Sequence, residues 1–147
     1  MIIEIASICD AATANGQGGR MNILGAFDRV FSQFPLVIPQ CAAAFRIRYQ
    51  RTESGIHKLT LSIEDVCGHA IVPGMESNVP FEPVAKGFDT AAMNLILNMQ
   101  RLKIERPDKY IIRLFIDDEE YAALPLYALE VPQQHGPSDS DNGDIKN

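Results

Sequence analysis

Between Lys109 and Asp117 the chain alternates without a break, and no other stretch limits its fold as severely. Tyr110, Ile112, Leu114 and Ile116 take one side, and Lys109, Ile111, Arg113 and Phe115 the other. A period of two is a strand signature. The acidic run Asp117, Asp118, Glu119 and Glu120 interrupts the pattern, and Leu124, Leu126, Tyr127, Leu129 and Val131 resume apolar character. Two strands joined by a polar connection make a hairpin.

The remainder reads the same way. Met1–Thr13 forms a strand with Ile3, Ile5, Ser7 and Cys9 facing away from Ile2, Glu4, Ala6, Ile8 and Asp10. A glycine-rich turn at Asn15–Arg20 leads into a return strand, Met21–Phe31. Proline cannot donate to a ladder, so Phe31–Gln40, with Pro35 and Pro39, is expected to cross between sheets. Ala42–Tyr49 is a strand. His57–Val66 pairs through a tight Cys67-Gly68 turn with His69–Val72. Ser77–Phe81 is a short edge strand, and Thr90–Ile104 is a strand whose parity changes near Gln100, as a bulge would cause. About eight strands without an amphipathic helix predict an all-β, antiparallel, two-sheet β-sandwich over residues 1–131. Asp108 and Tyr110 behind Pro107 resemble the tyrosine corner of immunoglobulin-like sandwiches. Residues 132–147, nearly free of large apolar side chains, predict a disordered acidic tail.

Composition excludes several functional classes. A chain of 147 residues is one domain, and at about that size a fold buries roughly 70% of its unfolded surface. Hydrophobic residues at 46% and charged residues at 22% fit a globular chain. The formal net charge is −6; the tail's −2 leaves −4 for the body. That lacks the basic excess that binding to nucleic acid phosphates requires. With no signal-like start and no long apolar run, the expectation is a cytoplasmic protein without a membrane partner. Cys9, Cys41 and Cys67, odd in number and widely spaced, predict reduced, buried thiols.

Candidate chemistry is sparse. The glycines at Asn15–Gly19 lack the G-K-[ST] ending and precede a strand, so they mark a turn and not a phosphate cradle. Asp117–Glu120 lacks calcium-loop spacing. Asp10 and Asp28 raise the idea of an acid pair, but no nucleophile or base accompanies them. Cys67 and His69, with His57 across the expected hairpin, offer zinc-type ligands but no fourth. Arg46, Arg48 and Arg51 form a basic stripe suited to an anion or small ligand. Ile8, Ile96, Ile111 and Phe115 fall on faces expected to be polar, and together predict an apolar interface patch.

Ala6-Ser7-Ile8-Cys9-Asp10, the glycine turn, Met21-Asn22-Ile23-Leu24-Gly25-Ala26-Phe27-Asp28 and Phe34-Pro35 resemble the signature of a family of small bacterial all-β proteins of unknown function. Gly55–Ile63, Asp65–Gly68, Tyr110 and Pro125-Leu126 extend the resemblance over most of the chain before the tail. It implies an all-β sandwich in a bacterial cell and assigns no catalytic residues. The function expected from the residues is a non-enzymatic protein-interaction module, for a protein partner or its own copy. Anion or ligand binding at the Arg46/Arg48 face is the alternative. An enzyme is the least supported class, and no cofactor is implied.

Overall fold

A computed structural model describes residues 1–16 and 18–132, so the predicted acidic tail lies almost wholly outside the described residues. The strands are β1 (Ile2–Ala14), β2 (Met21–Phe27), β3 (Arg29–Ser32), β4 (Leu36–Gln50), β5 (Gly55–Glu64), β6 (Met75–Phe81), β7 (Thr90–Ile104), β8 (Asp108–Ile116) and β9 (Glu119–Glu130). They form two sheets, ordered β2-β1-β4-β7 and β3-β9-β8-β5-β6, the second curled like half a barrel. The all-β class and the two sheets follow the sequence expectation.

Alternation on β8 sets the core. Tyr110, Ile112, Leu114 and Ile116 are buried, and they share one apolar cluster with Phe45, Ile47, Leu59, Leu61 and Leu126 from both sheets. Burying such a side chain contributes about 1.5–3 kcal/mol, whereas an exposed ion pair contributes about 0–1 kcal/mol. Apolar period, not charge pairing, therefore fixes the register. Asp117 and Asp118, at φ 51° and 68°, supply the two left-handed residues of a tight β8–β9 turn. The Tyr110 hydroxyl donates to the Arg106 carbonyl at 2.7 Å, tying β8 to the connection before it.

Four expectations are corrected. The single Met21–Phe31 strand is broken at Asp28: β2 pairs with β1, while β3 pairs in parallel with β9 in the other sheet. The pairing is thus not wholly antiparallel. The crossover assigned to Phe31–Gln40 is mostly strand, since β4 starts at Leu36 and runs through Pro39. Pro39 fits because the ladder to β7 is interrupted between Ile38↔Leu102 and Gln40↔Gln100, where Arg101 has φ 54°. Register is the same on both sides, so β4 and β7 change parity together, and the bulge expected near Gln100 is a joint kink. His69–Val72 is not a strand; it touches β5 through one bridge, Glu64↔Ala70, and β6 is the true partner of β5. Finally, Cys67 is exposed, while Cys9 and Cys41 are buried as expected.

The β1–β2 hairpin bends back over its own sheet. Cys9, Ala42 and Ala44 are fully buried outside the main core, with Ala12, Met21 and Ile23 of the hairpin and Ile96 of β7 packed against them. The turn closes on the sheet at Gly19, whose carbonyl accepts from Arg46 Nη1 at 3.1 Å and Asn94 Nδ2 at 2.8 Å. Glycine is required there because a Cβ on Gly19 would stand 1.5 Å from the Asn15 carbonyl oxygen. Gly18 approaches the Ala92 carbonyl, whose oxygen is 3.2 Å from a would-be Cβ.

Candidate functional site

Each of the two sheets ends in two edge strands, and three of the four are guarded. β3 is four residues long and begins with Arg29. β6 carries Glu76 and Pro80. β2 is interrupted at Gly25, whose φ of +67° admits the Asp10 carboxyl within 2.2 Å of where a Cβ would be. Charge, proline, brevity and bulges are the usual means of stopping a sheet edge from pairing onward. β7 has none of them from Thr90 to Gln100: that run holds no acidic or basic residue and no proline. Among the described residues β7 pairs only with β4, leaving the other side of this run, roughly 35 Å long, without a ladder.

The hairpin tip meets the backbone of this strand at Ala92 and the Asn94 side chain on its outer face, so the backbone edge of Met93–Gln100 is the open length. Its side chains alternate between the core, with Met93, Leu95 and Met99 buried, and the outer face, with Asn94, Asn98 and Gln100. The sheets come close where β1 meets β9, and open space lies on the β7 side. A cavity of about 390 Å³ there is lined by Val72, Met75, Met99, Gln100 and Leu102. A narrower one of about 50 Å³, between Met75, Leu95 and Leu97, continues it. The edge is therefore an unpaired backbone ladder above an apolar seam.

The basic stripe is built differently from the expectation of a free anion face. Arg46 bonds Gly19 and the Asn94 Oδ1 at 2.8 Å. Arg48 pairs with Glu4 and donates to Thr90 Oγ1 at 3.0 Å. Arg51 donates to the Val84, Ala85 and Phe88 carbonyls at 2.8, 3.4 and 2.9 Å, holding the loop before β7. All three guanidiniums fasten loops or strands to β4 or to the turn that follows it.

The four apolar residues expected to form one patch are dispersed. A bulge between Ile3 and Ile5 reverses the parity of β1, which puts Ile8 in the main core at 2% exposure. Ile96 lies under the hairpin. Ile111 and Phe115 remain on the outer face of β8, half-buried and divided by Arg113, which bonds Glu64 at 3.2 Å and Glu120 at 2.5 Å.

Nor does His57 join Cys67 and His69. Its Nδ1 meets the Asp117 carboxylate at 2.5 Å, its Nε2 the Glu53 carbonyl at 2.6 Å, and its ring packs on Phe81. Burial opposes the charged imidazole, but Asp117 and the Glu53 carbonyl outweigh it and raise the pKa above 6.5. Asp117 is held below the usual carboxylate range by His57 and the Lys58 amide. Asp65 takes the place expected for His57 beside Cys67 and His69. Asp28 pairs with Arg29 and Asp10 packs on Gly25, so each carboxylate has its own neighbour.

Residues 4–129 match a family of unknown function, DUF6941. The chain belongs to that family. No curated protein matches it. Among solved structures, the alkylpurine DNA glycosylase AlkC of Pseudomonas fluorescens, solved bound to DNA containing an abasic site analogue, is similar at 7% identity and a TM-score of 0.40. The likeness covers 69% of this DUF6941 chain and 28% of that one, and carries no inference about fold or activity. No helix among the described residues is long and apolar enough to cross a membrane.

Proposed function

We propose that this DUF6941 domain is a non-enzymatic interaction module that associates through the open edge of β7, and that its partner is a second copy of the same chain. The unguarded Met93–Gln100 ladder carries the proposal. A two-fold axis sets this strand antiparallel to itself, so a charge anywhere in it would oppose the same stretch of its partner. An uncharged run is what such pairing needs, whereas an edge built for a foreign peptide can select it by charge. A register centred on Leu97 pairs Leu95 with Met99 and Ile96 with Asn98, keeping core residues on the core side. In the same reading the two sheets, sharing one apolar cluster, form a sandwich of immunoglobulin-like kind.

Native mass spectrometry of the untagged full chain tests the proposal, alongside Asn98→Lys combined with Gln100→Lys. Both positions are exposed, so the fold is retained while four ammonium groups line the seam of a dimer. The expected result is a two-chain mass for the wild type and a one-chain mass for the variant. Phe115→Asp, on the other sheet's outer face, is expected to keep the two-chain mass. A wild type that is one chain at every concentration, or a double-lysine variant that stays paired, overturns the proposal.

A further inference from the structure

The loop after β5 gathers three side chains of different chemistry. Asp65, Cys67 and His69 each present one ligand atom, and these atoms lie within 4.8 Å of one another. The backbone is already shaped for this: the Asp65 amide donates to the His69 carbonyl at 2.9 Å, the Gly68 amide to the Asp65 carbonyl at 3.1 Å, and Gly68 has φ +83°. Asp65 Oδ1 accepts the Cys67 and His69 amides, both at 2.9 Å, which aims the carboxylate and leaves Oδ2 for another role.

Oδ2 stands 3.4 Å from His69 Nδ1. Two ligands each about 2.0–2.1 Å from a tetrahedral zinc ion are separated by about 3.3–3.4 Å, so this pair already spans one edge of a coordination tetrahedron. Cys67 and His69 are exposed, and their side chains can close the remaining distance by rotation without moving the core. A thiolate, an imidazole and one carboxylate oxygen suit a borderline-soft ion such as Zn²⁺ or Co²⁺; Ca²⁺ and Mg²⁺ prefer all-oxygen shells. The Arg106 guanidinium, 3.7 Å from Oδ2, stands in the way, and it is 71% exposed and free to swing out.

We infer that Asp65, Cys67 and His69 form a zinc-class metal site with three protein ligands and one open position. Cys67 binds as thiolate, releasing its proton to solvent, and His69 binds as the neutral ring. The open position adjoins a cavity of about 470 Å³ lined by His69, Ile71, Lys103, Arg106 and Tyr110, where water or a small anion would complete the shell. Three ligands plus solvent is an open coordination sphere, unlike a closed structural zinc knot.

Cobalt titration of the untagged full chain under reducing conditions is the test, because tetrahedral Co²⁺ gives visible bands and a thiolate ligand adds a near-ultraviolet charge-transfer band. The expected result is one equivalent bound with both features, displaced by Zn²⁺. Cys67→Ser should lose the charge-transfer band, and His69→Gln should weaken binding by about tenfold or more. Asp65→Asn keeps an oxygen to accept the loop amides, so loss of affinity there with an unchanged circular dichroism spectrum separates ligation from loop folding. Arg106→Ala should bind more tightly. The absence of a tetrahedral spectrum in the wild type, or a spectrum that persists in both Cys67→Ser and His69→Gln, overturns the inference.

Discussion

Arg46→Met isolates the clasp that holds the β1–β2 hairpin over its sheet. The substitution keeps an unbranched stem and removes two hydrogen bonds, at 3.1 Å to the Gly19 carbonyl and 2.8 Å to Asn94 Oδ1. Gly19 still accepts from Asn94, so its carbonyl is not orphaned. Hydrogen bonds to a charged donor contribute about 1.5–3 kcal/mol when buried, and Arg46 is half-buried, so the net loss should be about 2 kcal/mol. At 1.4 kcal/mol per factor of ten, hairpin opening becomes about thirtyfold more frequent. The three cysteines report this directly. Cys67 is exposed, Cys9 lies under the hairpin, and Cys41 lies in the main core with its thiol pushed up to about 11 by burial. Thiol labelling should therefore run in the order Cys67, Cys9, Cys41, and Arg46→Met should accelerate Cys9 about thirtyfold. Cys41 should rise by the same factor while staying slower, because the unfolded state lacks the clasp as well. Cys67 should not change. If Cys9 and Cys41 label at one rate in the wild type, the hairpin does not open separately; if Arg46→Met leaves Cys9 unaltered, Arg46 is no clasp.

Tyr110→Phe removes the 2.7 Å bond to the Arg106 carbonyl and should lower urea-unfolding stability by about 0.5–1.5 kcal/mol with an unchanged denaturant slope; equal midpoints would show the corner is idle. The His57–Asp117 pair gives a pH window with two signs. His57's stabilisation is complete below the unfolded value near 6.5 and fades as pH rises through the raised folded value. Asp117's is present above 3.8 and fades as pH falls through its lowered folded value. Urea midpoints taken upward from pH 6.5 should fall more steeply for the wild type than for His57→Gln, and parallel curves would contradict this. The β7 edge and the Asp65–Cys67–His69 loop have their own tests in native mass spectrometry and cobalt titration.

Strand class was legible because a two-residue period leaves its mark residue by residue. Tyr110 to Ile116, the parity change in β7 and the corner at Tyr110 were all visible in the chain. Face assignments failed where the backbone inserts a defect, since one bulge between Ile3 and Ile5 moves Ile8 from the outer face to the core. The Cys67–His69 pair was legible from its spacing. Asp65 was not, because the expected Cys67-Gly68 hairpin put His57 opposite them, and only the real pairing of β5 with β6 and β8 removed it.

The absence of charge from Thr90 to Gln100 stands in the sequence, but its meaning does not. A run of that composition is equally at home in the middle of a sheet, and strand order depends on pairings between residues far apart in the chain. Sequence alone therefore determined the all-β class, the alternation of β8 and the Cys67–His69 pair. Tertiary structure alone decided that β7 is an edge, that Arg46, Arg48 and Arg51 are fasteners, and that the first hairpin covers Ile96. Those are long-range facts: alternation is a local consequence of backbone geometry, whereas an edge or a cover exists only once distant strands have met.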